Sequence, residues 1–288
     1  MSGSADAPHG SSTAGQLDRA RSFWLLLPLL GLMVAAFAAP IGKLLWGSVF
    51  APDATSAHYL RVFDEPIYLR IFLRTIRTAA IVTAAALLLG YPVALVMSRL
   101  AGTAATIVAA CVLIPLWTSV LVRSYAWIVL LQRNGTVNSL LQAMGITAGP
   151  LPLLYSDGAV MIAMTHVLLP YMILPTYAAL KSIPPELERA ALNLGASAFG
   201  SFRAVTLPLS LPGVYAGMVM VFILSLGFYV TPALVGGPRN LTIATLIGQQ
   251  VTEVLNWPFA GALAGVLLVL TLALVALFRR FLQLGIGR

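Results

Sequence analysis

The chain is poor in charge and nearly free of cysteine. Only 9% of its 288 residues are Asp, Glu, Lys or Arg, against 59% hydrophobic, whereas soluble domains carry about 25% charged residues. Such a surface does not keep a folded body of this size in water, and the apolar content excludes a disordered chain. A soluble globular enzyme is thereby excluded, and lipid is the solvent that fits. The single cysteine, Cys111, excludes an internal disulfide framework and any multi-cysteine metal site. It reads as a small buried apolar residue. No GxxxxGK[ST] run occurs around Lys43 or Lys181, so nothing here cradles a nucleotide in the P-loop manner. No HExxH occurs among His9, His58 and His166. Ser197, in Gly195-Ala196-Ser197, is a helix cap rather than a nucleophile. The net charge of +8 is scattered singly between apolar runs, which does not make a nucleic-acid surface.

What is present is a series of long apolar runs. A bilayer core needs about 20 apolar residues as helix. Six stretches fit: Phe23 to Phe50, about Arg77 to Met97, Thr103 to Leu121, Gly158 to Leu180, Leu207 to Val235, and Pro258 to Phe278. They lack the alternation of a barrel, so they are helices with closed backbone hydrogen bonding. Pro92, Pro115, Pro170 and Pro175 fall inside them and bend them. Residues 1–22 are rich in Gly, Ser and Ala and read as a disordered tail before a membrane domain over 23–288. Ala36-Phe37-Ala38 has the small residues of a signal-peptide cleavage site. The run continues past it to Phe50, so a retained first span is expected.

None of the nine acids (Asp6, Asp18, Asp53, Asp64, Glu65, Asp157, Glu186, Glu188, Glu253) lies in a span interior. That speaks against a proton-driven carrier. His166 is the one ionisable group read inside the fourth span, as a neutral imidazole bonded to a neighbouring helix. With the N-terminus on the cytoplasmic side, nine basic residues fall inside and eight outside, Arg123 among the latter. Charge therefore leaves the orientation open.

The segment Lys181 to Gly213 is more polar than its flanks. Ser182 is positioned to cap a helix begun by Pro184-Pro185, with Glu186 at its positive end. Leu187, Ala190, Ala191 and Leu194 share one face, opposite Glu186, Arg189 and Asn193. Gly195 ends this helix. Ser197 starts a second, striped by Phe199, Phe202 and Val205. The result is a helix–glycine–helix elbow with an apolar knob. It fits a groove on a partner and equally the surface of a membrane.

The same residues resemble the EAA loop of inner-membrane permeases in binding-protein-dependent ABC importers. Ala190-Ala191, Gly195 and Leu207-Pro208 are in register, while Arg189 stands at the motif glutamate and Glu188 precedes it. The resemblance implies an all-α polytopic protein of the bacterial inner membrane, with both termini cytoplasmic. Its fold would be the type I importer permease, six transmembrane helices with a cytoplasmic coupling loop over 181–208. It implies that Glu188, Arg189, Ala190, Ala191, Gly195, Ala196, Phe199, Phe202, Leu207 and Pro208 meet an ATPase subunit. The implied partners are two ATPase copies, a second homologous permease, a periplasmic substrate-binding protein and membrane lipid. This chain would hold no cofactor, ATP and Mg belonging to the ATPase. A stand-alone carrier or channel is the rival reading.

Val122 to Leu141, with Arg123, Tyr125-Ala126-Trp127, Gly135 and Asn138, is similar to the spermidine/putrescine permease group, first subunit. So is Gly236-Gly237-Pro238-Arg239-Asn240 with Ile243 and Gln249-Gln250. A polyamine is the implied cargo. Aromatic faces attract ammonium groups, so Trp117, Tyr125, Trp127 and Tyr229 are candidates to line its path, with Glu253 at the mouth.

Overall fold

The computed structural model describes residues 19–50 and 54–286. Most of the expected N-terminal tail (residues 1–18), Asp53 and Arg288 lie outside the described residues. Helix α1 (Arg19–Met33) runs through a π-turn at Val34–Ala38 into α2 (Ala39–Phe50). A short amphipathic α3 (Ala57–Asp64) leads to α4 (Pro66–Arg99), begun by proline in its first turn. Then come α5 (Gly102–Trp117), α6 (Val120–Leu131), α7 (Thr136–Ala143) and α8 (Asp157–Lys181). The elbow helices α9 (Pro185–Asn193) and α10 (Ala198–Ser201) precede α11 (Leu207–Leu226), α12 (Ile243–Thr252) and α13 (Trp257–Ile286). Five of these runs are long and apolar enough to cross a bilayer, and a sixth is a bent pair. Among the described residues there is no strand.

The third span departs from expectation. Instead of one helix from Thr103 to Leu121, α5 has 16 residues, about 24 Å at 1.5 Å per residue, short of a core of roughly 30 Å. Pro115 weakens its last turn, the Thr118 hydroxyl donates to the Pro115 carbonyl at 2.8 Å, and Ser119 caps α6. The chain leaves α5 through a 102° bend. The fifth span likewise ends early, at Leu226, where Gly227 breaks the helix before a π-turn at Pro232–Gly236.

Helices α4, α8 and α11 form the centre. Val82, Ala86, Val160, Met164, Leu168, Met172 and Val221 pack there. Lipid offers no hydrophobic drive between helices, so close backbone approach decides the packing. Gly213 and Gly217, one turn apart on α11, supply it. A Cβ at Gly213 would sit 2.4 Å from the Pro175 carbonyl oxygen and from Ala179 Cβ. One at Gly217 would meet Met172 Sδ at 2.9 Å. At the periphery α13 lies on α2. Between residues 26 and 43 the leading helix is exposed on all sides, with Leu29, Leu32, Val34 and Phe37 bare.

Candidate coupling elbow and mid-membrane groove

The elbow is built locally. Pro185 opens α9, and Glu186 and Glu188 sit in its first turn at the positive end of the helix. Ser182 does not cap it: its hydroxyl donates back to the Ala179 carbonyl at 2.8 Å, closing α8. At the far end Gly195 adopts φ +89°. Its N–H donates to Leu192 O and that of Ala196 to Ala191 O, at 3.0 and 3.1 Å, the Schellman pattern that only glycine enters without strain. Ser197 then accepts the Gly200 N–H at 3.1 Å and starts α10.

From α10 a π-turn at Phe202–Thr206 runs without interruption into α11, making one helical rod from Ala198 to Leu226. Pro208 therefore marks no boundary. The second arm of the elbow is the end of a membrane span.

The outward face is apolar. Leu194 is 89% exposed and Phe199 71%, with Leu187 and Leu192 also exposed. Arg189, Ala190 and Pro208 are exposed; Ala191, Ala196 and Leu207 are half-buried. Phe202 turns inward, edge-on to Tyr91 of α4 at 6.2 Å between ring centres. The expected aromatic knob is thus Phe199 alone. Leu192 was not part of the expected stripe, because a nine-residue helix exposes more than one face once its inner side is fixed elsewhere.

Glu188 fixes that inner side. Its carboxylate accepts the Thr206 hydroxyl at 2.5 Å and pairs with Arg99 Nη2, from the last turn of α4, at 3.5 Å. Ser201 Oγ donates to the Glu188 backbone carbonyl at 3.4 Å. The first arm is thereby tied to the second arm and to a different span. The Arg99 contact is partly exposed and contributes at most about 1 kcal/mol, while a hydrogen bond to a charged group contributes about 1.5–3 kcal/mol. Thr206 therefore carries more of the tie. Glu188→Ala is expected to loosen residues 185–206 and Glu188→Gln, which still accepts from Thr206, to do so much less. Hydrogen exchange of the elbow amides measures the difference; equal protection in the two variants would refute it.

The groove lies at mid-depth between α4, α5, α6 and α8. Trp127 Nε1 donates to His166 Nδ1 at 3.3 Å, so His166 is the neutral, bonded imidazole expected of it. Two cavities meet at its ring. One, about 400 Å³, includes Ile81, Leu89, Trp127 and Ile162 in its wall. The other, about 210 Å³, includes Cys111, Pro115 and Pro170. Cys111, on α5, is exposed to this space rather than buried. Arg123 is not in an outer loop. Its Nη1 donates to the carbonyl of Val167, in the middle of α8, at 3.3 Å.

Of the path candidates, Trp127 reaches His166. Tyr125 follows Ser124 and Tyr229 lies two residues before Thr231; the Ser124 and Thr231 hydroxyls bond at 2.9 Å and join α6 to the segment after α11. Trp117 is 85% exposed at the bend and Glu253 is exposed after α12. Among the described residues no hydrogen bond or ring contact brings these two to the other three. The pairings of Arg99, Thr206 and Arg123 were not legible, since each partner lies far away in sequence.

Residues 86–284 match the family model described as "Binding-protein-dependent transport system inner membrane component". The chain is 33% identical over 258 residues to the spermidine/putrescine transport system permease protein PotB of Haemophilus influenzae, covering 90% of this chain and 88% of that one. It is also 33% identical over 205 residues to the molybdenum transport system permease protein ModB of Mycobacterium bovis, covering 71% and 76%. A solved bacterial alginate ABC transporter, in complex with its alginate-bound periplasmic protein, contains a chain that superposes with TM-score 0.71 at 18% identity, covering 89% and 92%. The chain belongs to the family of inner-membrane components of binding-protein-dependent transport systems: it is a multi-pass permease subunit of an ABC importer, not itself an enzyme.

Proposed function

We propose that this permease imports a polyamine, as one of two non-identical permease subunits bound to two ATPase subunits and served by a periplasmic binding protein. The observation that carries the coupling part is the exposed apolar face of Leu187, Leu194 and Phe199 on an elbow whose second arm is continuous with α11. A groove on the ATPase that closes with ATP grips this face and levers α11 directly, while the Glu188 tie carries the motion to α4. The elbow side is the cytoplasmic side, and with it both termini. ATP and Mg are bound by the partner, and residues 181–208 are the coupling loop of one membrane domain over 23–288. Likeness to PotB over most of both chains supports the polyamine. Likeness to ModB shows that the scaffold alone does not select it.

Uptake of labelled putrescine into proteoliposomes is expected to require the ATPase, ATP and loaded binding protein together. Flux through this chain alone would establish the rival stand-alone carrier. If ammonium groups pass over aromatic faces, each face contributes about 0.5–2 kcal/mol. Alanine at Tyr125, Trp127 and Tyr229 together is then expected to lower uptake roughly tenfold or more, with basal ATPase retained. Unchanged uptake would remove these residues from the path.

A further inference from the structure

Arg123 is a cation at mid-membrane depth without a counter-ion among the described residues of its own chain. Val167, whose carbonyl it contacts, is about 15 Å along a helix of about 37 Å. Pro170 lacks an N–H and disturbs the ladder at this turn, which leaves carbonyls of the preceding residues open to an outside donor. That single acceptor serves one of the five guanidinium donors. Arg123 Nε is buried with no acceptor among the described residues.

The acids of the described chain are all elsewhere. Asp64, Glu65, Asp157, Glu186, Glu188 and Glu253 lie in end turns, caps or loops, and Glu65 and Glu188 already face Arg61 and Arg99. Lipid phosphates stay at the interface, outside the hydrocarbon. One turn along α6 from Arg123, Trp127 donates to His166 Nδ1. The ring proton therefore sits on Nε2, and His166 too presents a donor, on an exposed ring at the junction of the two cavities. His166 Nε2 at this junction, and Arg123 one turn along α6 from Trp127, are the donors left over, and no acid among the described residues supplies an acceptor. A charge held in hydrocarbon without compensation is strongly unfavourable.

We propose that Arg123 forms a mid-membrane ion pair with a carboxylate of the second permease subunit, with His166 Nε2 as a further donor to the same acid. The proposal rests on the two-permease, polyamine reading above. A polyamine carries only donors, so it does not supply the missing acceptor. It competes for it: the acid is neutralised by Arg123 when the path is empty and receives a cargo ammonium in transit.

The test uses the complete complex of both permeases and the ATPase. Arg123→Gln is expected to lower recovery of the second permease with this chain, or uptake by the complex, roughly tenfold or more, with Arg123→Lys restoring most of the loss. Arg123→Glu is expected to abolish assembly, and Lys at one mid-span acid of the second permease to restore it. Wild-type chain that assembles with no second permease overturns the two-permease reading and this proposal with it. Wild-type assembly followed by normal assembly and uptake of Arg123→Gln overturns the ion pair only. So does failure of every mid-span acid-to-Lys exchange to rescue Arg123→Glu. Normal assembly of Arg123→Gln with a raised KM for a carboxylate-bearing cargo also overturns it, and places the carboxylate on the cargo.

Discussion

Phe199→Asp is expected to abolish uptake by the assembled importer while leaving membrane insertion and the protein's own fold intact. The ring is 71% exposed in the isolated chain, so its removal leaves the core packing untouched. In the docked complex proposed above the same ring would be buried, a gain of about 1.5–3 kcal/mol. An aspartate in that groove adds a desolvation penalty of several kcal/mol. Together these amount to a loss of roughly a thousandfold or more in docking. Because α10 continues into α11 as one rod, on the proposed coupling an ATPase that lost its hold on position 199 would no longer move the span.

Stimulation of ATP hydrolysis by loaded binding protein should vanish together with uptake, with basal hydrolysis retained. Phe199→Leu keeps an apolar knob and should keep most of both. Gly195→Pro should fail by another route, since φ +89° is closed to proline and the Gly195 N–H is already engaged with Leu192 O. Normal assembly and uptake in Phe199→Asp would remove the elbow from coupling.

The parts of this architecture that could be read from sequence are those set within a few residues. Pro184-Pro185, Gly195 and Ser197 each act on the adjacent turn, so the helix–glycine–helix elbow follows from them. The apolar runs report length and composition, so the existence of spans follows as well. Their interruptions do not, because a hydropathy run continues unchanged through the 102° bend at Thr118-Ser119. That bend is what carries Arg123 to the middle of α8, and a charge flanking an apolar run gives no sign of the depth to which a bent span takes it. Glu188 was identifiable as a motif neighbour. Its role as a tie depends on Arg99 and Thr206, which reach it only once α4 and α11 are packed against α8. Ser182 shows the opposite case. A serine two residues before a proline suits the start of one helix and the end of another, and its choice of Ala179 depends on where α8 stops.

Gly213→Val should produce the largest loss of folded protein among single substitutions in the spans. Helices α8 and α11 pack extensively on each other, and at Gly213 there is no room between them for a side chain. An added Cβ would stand 2.4 Å from both the Pro175 carbonyl oxygen and Ala179 Cβ. Neither is the end of a flexible side chain, so the helices must separate. Overpacking costs about 1–3 kcal/mol where neighbours give way, and here the obstacle is backbone, so the upper end or beyond is expected. For a chain of this size that is a fall of roughly 6–12 °C in Tm, taking about 2–4 °C per kcal/mol.

The displacement also reaches function, because Ser210, on the preceding turn of α11, bonds Tyr91 of α4 at 3.1 Å next to the elbow. Gly158→Ala is the control. Its Cβ meets nothing nearer than Ser156 Oγ at 3.7 Å, and alanine favours the helix, so Tm should hold or rise slightly. Thermal unfolding in detergent, followed by tryptophan fluorescence, separates the two. A Gly213→Val protein with the wild-type midpoint would mean that the α8–α11 contact does not hold the spans together, and the rod from Ala198 to Leu226 would then have nothing firm to lever against.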